Sequence, residues 1–295
     1  MPILSFLNYL ALEKKYSKHT VTAYKNDINV FQQFCLDNYN TSNLIEVNYA
    51  QIRSWIVSLV NNNISNRSIN RKVSSLKSFY KFLQRTKQIE QSPLNKHKPL
   101  KVAKKVQVPF SEKEIKEVFN VIDEDETFEG LRAKLIVELL YSTGMRRAEL
   151  INLELSNVDI VNETVKVLGK RNKERYIPLL KSVQKTIKKY LEFRSDINTN
   201  SSYLLVTKKG KKVYDTLVYR VINSYFSSVS SKVKKSPHVI RHSFATHLLD
   251  EGADLNSVKE LLGHSSLAST QVYTHSSLGK LKEVYNQAHP RSDKT

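Results

Sequence analysis

The chain has 295 residues, 40 % hydrophobic and 25 % charged, with 47 Lys+Arg against 28 Asp+Glu and a formal net charge of +19. This is the composition of a globular protein with room for one large domain or two ordinary ones. A single cysteine, Cys35, excludes an intramolecular disulfide framework and a cysteine-rich zinc module. No apolar run approaches the roughly 18 residues of a membrane span. Residues 1–7 lack a basic flank and a small-residue cleavage site, so they read as a first helix rather than a signal peptide. A cytoplasmic protein with a polyanionic partner and no membrane span is expected, although ribosomal, DNA-binding and membrane-surface proteins all share such a charge.

The charge is segregated. Residues 1–107 hold 17 Lys+Arg and 5 Asp+Glu, and the rest of the chain holds 30 and 23. This first third is patterned as helices. Val21, Tyr24, Ile28, Phe31 and Cys35 recur at steps of three and four, as do Ile52, Trp55, Ile56 and Leu59. A helix beginning near Ser65 has an apolar stripe of Ile69, Val73, Leu76, Tyr80 and Leu83. Its opposite face carries Arg67, Arg71, Ser74, Ser78, Lys81 and Arg85, all groups that bind phosphate. A solvated helix face normally alternates sign, yet residues 48–89 contain no acidic residue. We therefore expect Arg67, Arg71, Lys81 and Arg85 to be nucleic-acid contacts.

Pro93, Pro99 and five lysines mark residues 96–105 as an exposed basic linker. Ser111 and Glu114 then form a capping box that opens a second domain. Leu135, Ile136, Leu139 and Leu140 belong to a buried helix ending near Gly144. The β-branched run at residues 164–168, the polar turn Lys170-Arg171-Asn172-Lys173 and a second run at 175–179 read as a hairpin with a cationic tip. Ser236 and Pro237 open a further helix, which Gly252 ends. Short helices follow at 255–262, 267–275 and 278–288.

No phosphate loop, HExxH motif or two-metal acidic cluster is present. Five of the eight histidines fall between His238 and His275. His238, His242 and His247 lack a carboxylate or cysteine placed to complete a metal set, so no metal or other cofactor is expected. A different constellation is more specific. Thr143-Gly144-Met145-Arg146-Arg147-Ala148-Glu149-Leu150 places an arginine in a turn after a helix. His238 and Arg241 share one helix face, Leu261-Leu262-Gly263-His264 closes a helix, and Tyr273 follows nine residues later.

In this order and spacing the boxes resemble those of the tyrosine recombinases, the lambda-integrase family, and most nearly the bacterial Xer recombinases. The likeness runs over nearly the whole chain. It includes Gly169-Lys170-Arg171-Asn172-Lys173-Glu174-Arg175 as the hairpin lysine box, Pro237-His238-Val239-Ile240-Arg241-His242-Ser243-Phe244 as the second arginine box, and His289-Pro290-Arg291 near the end. Arg171 stands where the family usually has glycine, and its added charge is a candidate phosphate contact. The resemblance implies a mainly α protein. A helical, SAM-like core-binding domain would span residues 1–91 and a basic linker 92–108. An α-rich catalytic domain with a small antiparallel sheet or hairpin would span 109–295, and the two domains would form a C-shaped clamp on DNA. It also implies a helical pattern starting at residue 1 with no additional arm-binding domain ahead of it.

The implied catalytic set is Arg146, Lys170, His238, Arg241, His264 and Tyr273. Tyr273 would be the nucleophile, the two arginines would hold the non-bridging phosphate oxygens, His238 would assist proton removal, Lys170 would protonate the leaving oxygen, and His264 would hydrogen-bond the phosphate. Glu149 would orient the site. His242, His247 and His275 would be structural. The implied partner is double-stranded DNA with a short inverted-repeat site. The implied assembly is a tetramer on two sites, formed with itself or a sister recombinase. Leu278, Leu281 and Tyr285 on the last helix are a candidate surface for docking a neighbouring protomer. Whether a DNA translocase activates the protein stays open. So do the integrase of a small mobile element or integron and, in another class, a non-catalytic basic nucleic-acid-binding protein.

Overall fold

The structure is a computed structural model. It describes residues 2–103, 107–169, 174–232, 234–263 and 275–292, with residues 275–280 described by backbone alone. Its contacts divide the chain into two units, Met1–Lys105 and Val106–Thr295. Lys170, Arg171, His264 and Tyr273 lie outside the described residues, as do the side chains of His275 and Leu278.

The first unit is helical throughout. Helix α1 (Pro2–Asn8) runs into one π-helical turn (Tyr9–Glu13). Helix α2 (Lys18–Tyr39) starts at Ser17, whose hydroxyl accepts from the Thr20 N–H. Helix α3 (Tyr49–Asn61) opens on a capping box of Asn48 and Gln51. Helix α4 (Asn66–Arg85) starts at Ser65, where the sequence places it. All five stripe residues of α4 are buried, and Phe79 and Phe82 widen the buried face. The core joins that face to Ile28, Phe31 and Cys35 of α2 and to Ile52, Trp55, Ile56 and Leu59 of α3.

One acidic residue inside this core changes the reading of the basic face. Asp27 is 2 % exposed and takes a bidentate pair from Arg71, at 2.5 and 2.9 Å, with Ser75 and Lys72 also donating. Burial alone would raise this carboxyl, and these donors outweigh it and hold it below its ordinary value. Arg71 therefore has an acidic partner 44 residues away, which a scan of its own helix does not reveal. Arg85 is held by the Tyr9 hydroxyl at 3.0 Å and lies over the Tyr9 ring. Arg67 and Lys81 are exposed. The expected linker is in part seated on α4. Leu94 is buried, Leu100 packs against the core, and the Asn70 side chain bonds both backbone groups of Leu100.

The second unit is built around a helix buried on nearly every side. Helix α5 (Glu112–Asp123) begins with the expected capping box of Ser111 and Glu114. Helix α6 (Phe128–Thr143) is enclosed by its neighbours, and 14 of its residues are buried. An apolar pattern all round a helix is the mark of such a position. Gly144 ends α6 in the left-handed conformation at φ +58°, and the short helix α7 (Arg147–Ile151) follows at once. A three-stranded antiparallel sheet comes next, in the order β1 (Val158–Asp159), β2 (Thr164–Leu168) and β3 (Glu174–Pro178). The β2–β3 register runs from Thr164 opposite Pro178 to Leu168 opposite Glu174, which is the hairpin the sequence indicates. Strand β1 is two residues long and carries no period of its own.

Helices α8 (Lys181–Ser195), α9 (Asp215–Val229), α10 (Pro237–Asp250), α11 (Leu255–Leu262) and α12 (His275–Ala288) complete the unit. Helix α10 starts at Ser236 with proline at its first position, as expected, but the Ser236 hydroxyl makes no capping bond. In α12, Leu281 and Tyr285 are buried in this unit's own core, and the Tyr285 hydroxyl donates to the Ser142 carbonyl at 2.7 Å. Those two side chains are thus taken up within the domain rather than offered to a neighbour. Among the described residues no helix is long and apolar enough to cross a membrane.

Glu114 does more than cap α5. It also pairs with Lys232, on the segment leading into α10. Burial would raise its carboxyl; Lys232, Ser230 and Ser111 overcome that and bring it down to about 2. A carboxyl depressed on folding stabilises the protein above its unfolded pKa of about 4.3 and loses that contribution as pH falls toward the folded value. Urea unfolding between pH 5 and pH 2 should therefore show a smaller acid-induced loss of stability for Glu114→Gln than for wild type. Parallel curves would show that the pair contributes nothing in that window.

Candidate active site

Gly144 sets the geometry. Its left-handed turn lets the chain leave α6 and present Arg146 at the start of α7. A Cβ at this position would lie 2.4 Å from Phe244 of α10 and 2.9 Å from Leu262 of α11. Glycine is thus required both by the backbone and by the close approach of two further helices. The elements brought together at this point are the end of α6, the start of α7, the middle of α10 and the end of α11.

Arg146 and Arg241, 95 positions apart in the chain, meet here. Arg146 donates to Glu149 twice, from its backbone N–H at 2.7 Å and from Nη1 at 2.8 Å, and its Nη2 approaches the Gly263 carbonyl at 3.5 Å. Arg241 is buried. Its Nη1 donates to the Gly144 carbonyl and its Nη2 to the Leu262 carbonyl at 2.6 Å. A third guanidinium, Arg175 from β3, closes the group. It takes Glu149 from the other side with Nη1 at 3.1 Å and Nη2 at 2.8 Å, and donates Nε to the Leu261 carbonyl at 2.8 Å. Three successive carbonyls at the end of α11 thus face three arginines, where a helix leaves its last carbonyls without internal partners.

Among the described residues, three guanidinium groups surround one carboxylate, which leaves two positive charges uncompensated. Burial alone would push the Glu149 carboxyl up. Arg175 first, and Arg146 after it, hold it below the usual carboxylate range. Burial, then the like charge of Arg146, brings Arg241 down to about 10, so it stays charged at neutral pH. The side chain of Arg146 is 36 % exposed, so the excess charge is open to solvent on that side. The arrangement is chemically suited to a small, doubly coordinated anion such as a phosphodiester.

His238 lies one turn before Arg241 on α10 and reaches the surface. Partial burial, then the charges of Arg147, Lys234, Arg241 and Arg146, hold its imidazole below the ordinary value. Its neutral form is therefore favoured beside these cations. His242 is exposed, whereas His247 is buried with Nδ1 2.9 Å from the Tyr141 hydroxyl. His289 is fully buried among Tyr141, Phe244 and Tyr285, and burial takes it down to about 3. Arg291, two residues on, pairs with buried Glu138 and lies over the Phe119 ring, so the His289-Pro290-Arg291 segment is anchored on α5 and α6. No group of three or more metal-ligating side chains is found among the described residues.

The sequence offers little warning of the part played by Arg175. It occurs inside the hairpin box, where only Lys170 draws attention. Its signal is positional: an arginine on an otherwise apolar strand face, flanked in register by buried Val165, Val167 and Ile177.

Comparison with known proteins identifies the family. Residues 108–279 match the phage integrase family, and residues 3–87 match the phage integrase N-terminal SAM-like domain. The tyrosine recombinase XerC of Chlorobaculum parvum is 38 % identical over 312 residues, covering 97 % of this chain and 93 % of that protein. Two solved structures share the fold. One is XerH bound to its difH substrate before cleavage, with TM-score 0.69 and 18 % identity over 96 % of this chain and 91 % of that one. The other is a lambda integrase tetramer bound to a Holliday junction, with TM-score 0.69 and 14 % identity over 92 % and 80 %. The chain belongs to the phage integrase family and is a tyrosine recombinase.

Proposed function

We propose that the protein is a Xer-type site-specific recombinase that exchanges DNA strands at a short inverted-repeat site and so resolves chromosome or plasmid dimers. The observation that carries the chemical part is the group of half-buried Arg146 and buried Arg175 and Arg241 at the single carboxylate of Glu149. The Xer-type role is supported by 38 % identity to a curated XerC over nearly the full length of both chains.

In this reading the Tyr273 oxygen attacks the scissile phosphorus. The new bond joins tyrosine to the 3′-phosphate, the bond to the 5′-oxygen breaks, and that oxygen takes a proton as it leaves. The energy of the phosphodiester is kept in the covalent link, so rejoining needs no nucleotide cofactor. Negative charge grows on the two non-bridging oxygens, and Arg146 and Arg241 neutralise it. Donors fixed in advance where charge develops supply much of such a barrier reduction. His238, neutral beside the arginines, accepts the tyrosine proton. Lys170 gives a proton to the 5′-oxygen, and His264 donates to a non-bridging oxygen. Arg67, Lys81 and the exposed part of Arg71 contact the duplex backbone, with Arg85 and Arg171 in the same role. Two DNA sites and four protomers, self or sister, pass through a Holliday junction. A translocase activator is compatible with this scheme and not required by its chemistry.

A nicked duplex that traps the cleaved state tests the chemistry. The wild type should accumulate a covalent protein–DNA adduct, and Tyr273→Phe should bind the DNA and form none. Arg146→Ala and Arg241→Ala should each slow adduct formation by about 10²–10³-fold, the usual cost of removing a preorganised donor. An adduct that persists in Tyr273→Phe would refute the nucleophile assignment. Removing the gene should leave plasmid or chromosome dimers unresolved, restored by wild type and not by Tyr273→Phe. Unchanged dimer levels would point to mobile-element integration instead.

A further inference from the structure

We infer that Arg175 is a positioning residue for strand cleavage, acting through Glu149 on Arg146 and tying the base of the β2–β3 hairpin to the end of α11. This rests on the function proposed above and adds a residue to it.

The separation of roles is geometric. Arg146 and Arg175 share one carboxylate, but the Arg146 side chain is 36 % exposed and the Arg175 side chain only 5 %. Arg175 is enclosed, with its guanidinium turned onto protein acceptors, so it is not built to meet a DNA phosphate. Its Nη1 and Nη2 fix the plane of the Glu149 carboxylate in a fork-to-fork pair. Glu149 is three residues from Arg146 on the same short helix, and by itself could swing about its own side-chain torsions. With Arg175 in place, its two oxygens are set to take the Arg146 backbone N–H and Nη1. The direction of the exposed guanidinium is thereby inherited from a buried one.

Arg175 also connects elements that are separate in the sequence. Its Nε donates to the Leu261 carbonyl, one residue before the Leu262 carbonyl that Arg241 holds. A Cβ on Gly263 would come within 3.2 Å of the Arg175 Cδ and 3.3 Å of its Nη1. The guanidinium therefore lies against the helix-ending glycine, next to His264 in sequence. In the sheet, Arg175 pairs with Val167, one step inside the Leu168–Glu174 pair. The strand bearing Arg175 is the strand that follows Lys170. One side chain thus spans the arginine box, the end of α11 and the foot of the lysine hairpin. Lysine at this position would keep the charge and lose the three-way fork.

The test uses the full chain and a synthetic nicked duplex on which the wild type forms its adduct. The scissile linkage is made once as phosphate and once as methylphosphonate, in which a neutral methyl replaces one non-bridging oxygen. Arg175→Ala and Arg175→Lys should bind the duplex within about threefold of wild type and slow adduct formation on phosphate by about 10²-fold, the scale of a misplaced catalytic group. On methylphosphonate, where less charge has to be neutralised, both should recover about tenfold relative to wild type, and Arg146→Ala should recover with them. If Arg175→Ala does not fold, Arg175→Lys carries the measurement. A folded Arg175→Lys that cleaves at the wild-type rate, or an equal loss on both linkages, would overturn the inference, since a general structural defect is blind to the charge of the linkage. A wild type that forms no adduct on any site would instead overturn the proposed function beneath it.

Discussion

A single carboxylate organises the second unit. Glu149 is nearly enclosed, and an enclosed carboxylate is costly unless its charge is matched by hydrogen-bonded partners. Here it is matched beyond neutrality, by Arg175 on one side and Arg146 on the other, with the buried Arg241 close behind. The excess leaves the group with a net positive charge, which suits it to an anion. Like charges are held together before any ligand arrives, so their mutual repulsion is met during folding, and a bound anion relieves it. A site preorganised in this way does not have to reorient its dipoles when charge develops on a phosphate.

The fold maintains that arrangement from below. Helix α6 is buried along nearly its whole length, so it forms a rigid post. Gly144 caps the post and its missing side chain admits Phe244 and Leu262. The Gly144 carbonyl then accepts from Arg241, so the residue that ends the helix also orients an arginine from another one. Towards the other end of the chain, buried His289 and the Arg291–Glu138 pair seat residues 289–291 on the same helix. Elements from four places in the sequence are referenced to one buried rod, which is how residues 95 positions apart come to lie beside one carboxylate.

Much of this is legible in the sequence, and the exceptions have a common cause. The stripe of α4, the capping box at Ser111 and Glu114, and the β2–β3 hairpin follow from local rules of period, cap and turn, and each is found. The ordered boxes identify the family because chemistry fixes residue types in sequence as well as in space. What escapes local rules is tertiary. Arg71 reads as a pure DNA-facing cation because its partner, Asp27, lies on another helix. Arg175 reads only as the start of a strand because its partners are 26 and 86 residues away. Leu281 and Tyr285 form a stripe with no indication of whether the surface covering it belongs to the same molecule, and it does. Strand β1 is too short to show a period at all. Helix α8 carries a readable signal in Val183, Ile187 and Tyr190, all buried at helical spacing.

In this scheme Glu149 has no chemical task of its own and works by holding Arg146. A double-mutant cycle on the rate of covalent adduct formation tests it directly. Glu149→Gln and Arg146→Ala are measured alone and together on the same nicked duplex. If Glu149 acts through Arg146, the double variant cleaves no more slowly than Arg146→Ala alone, and the coupling equals the whole effect of Glu149→Gln. Two losses that multiply would contradict the account, because they would give Glu149 a role independent of the arginine it is placed to hold.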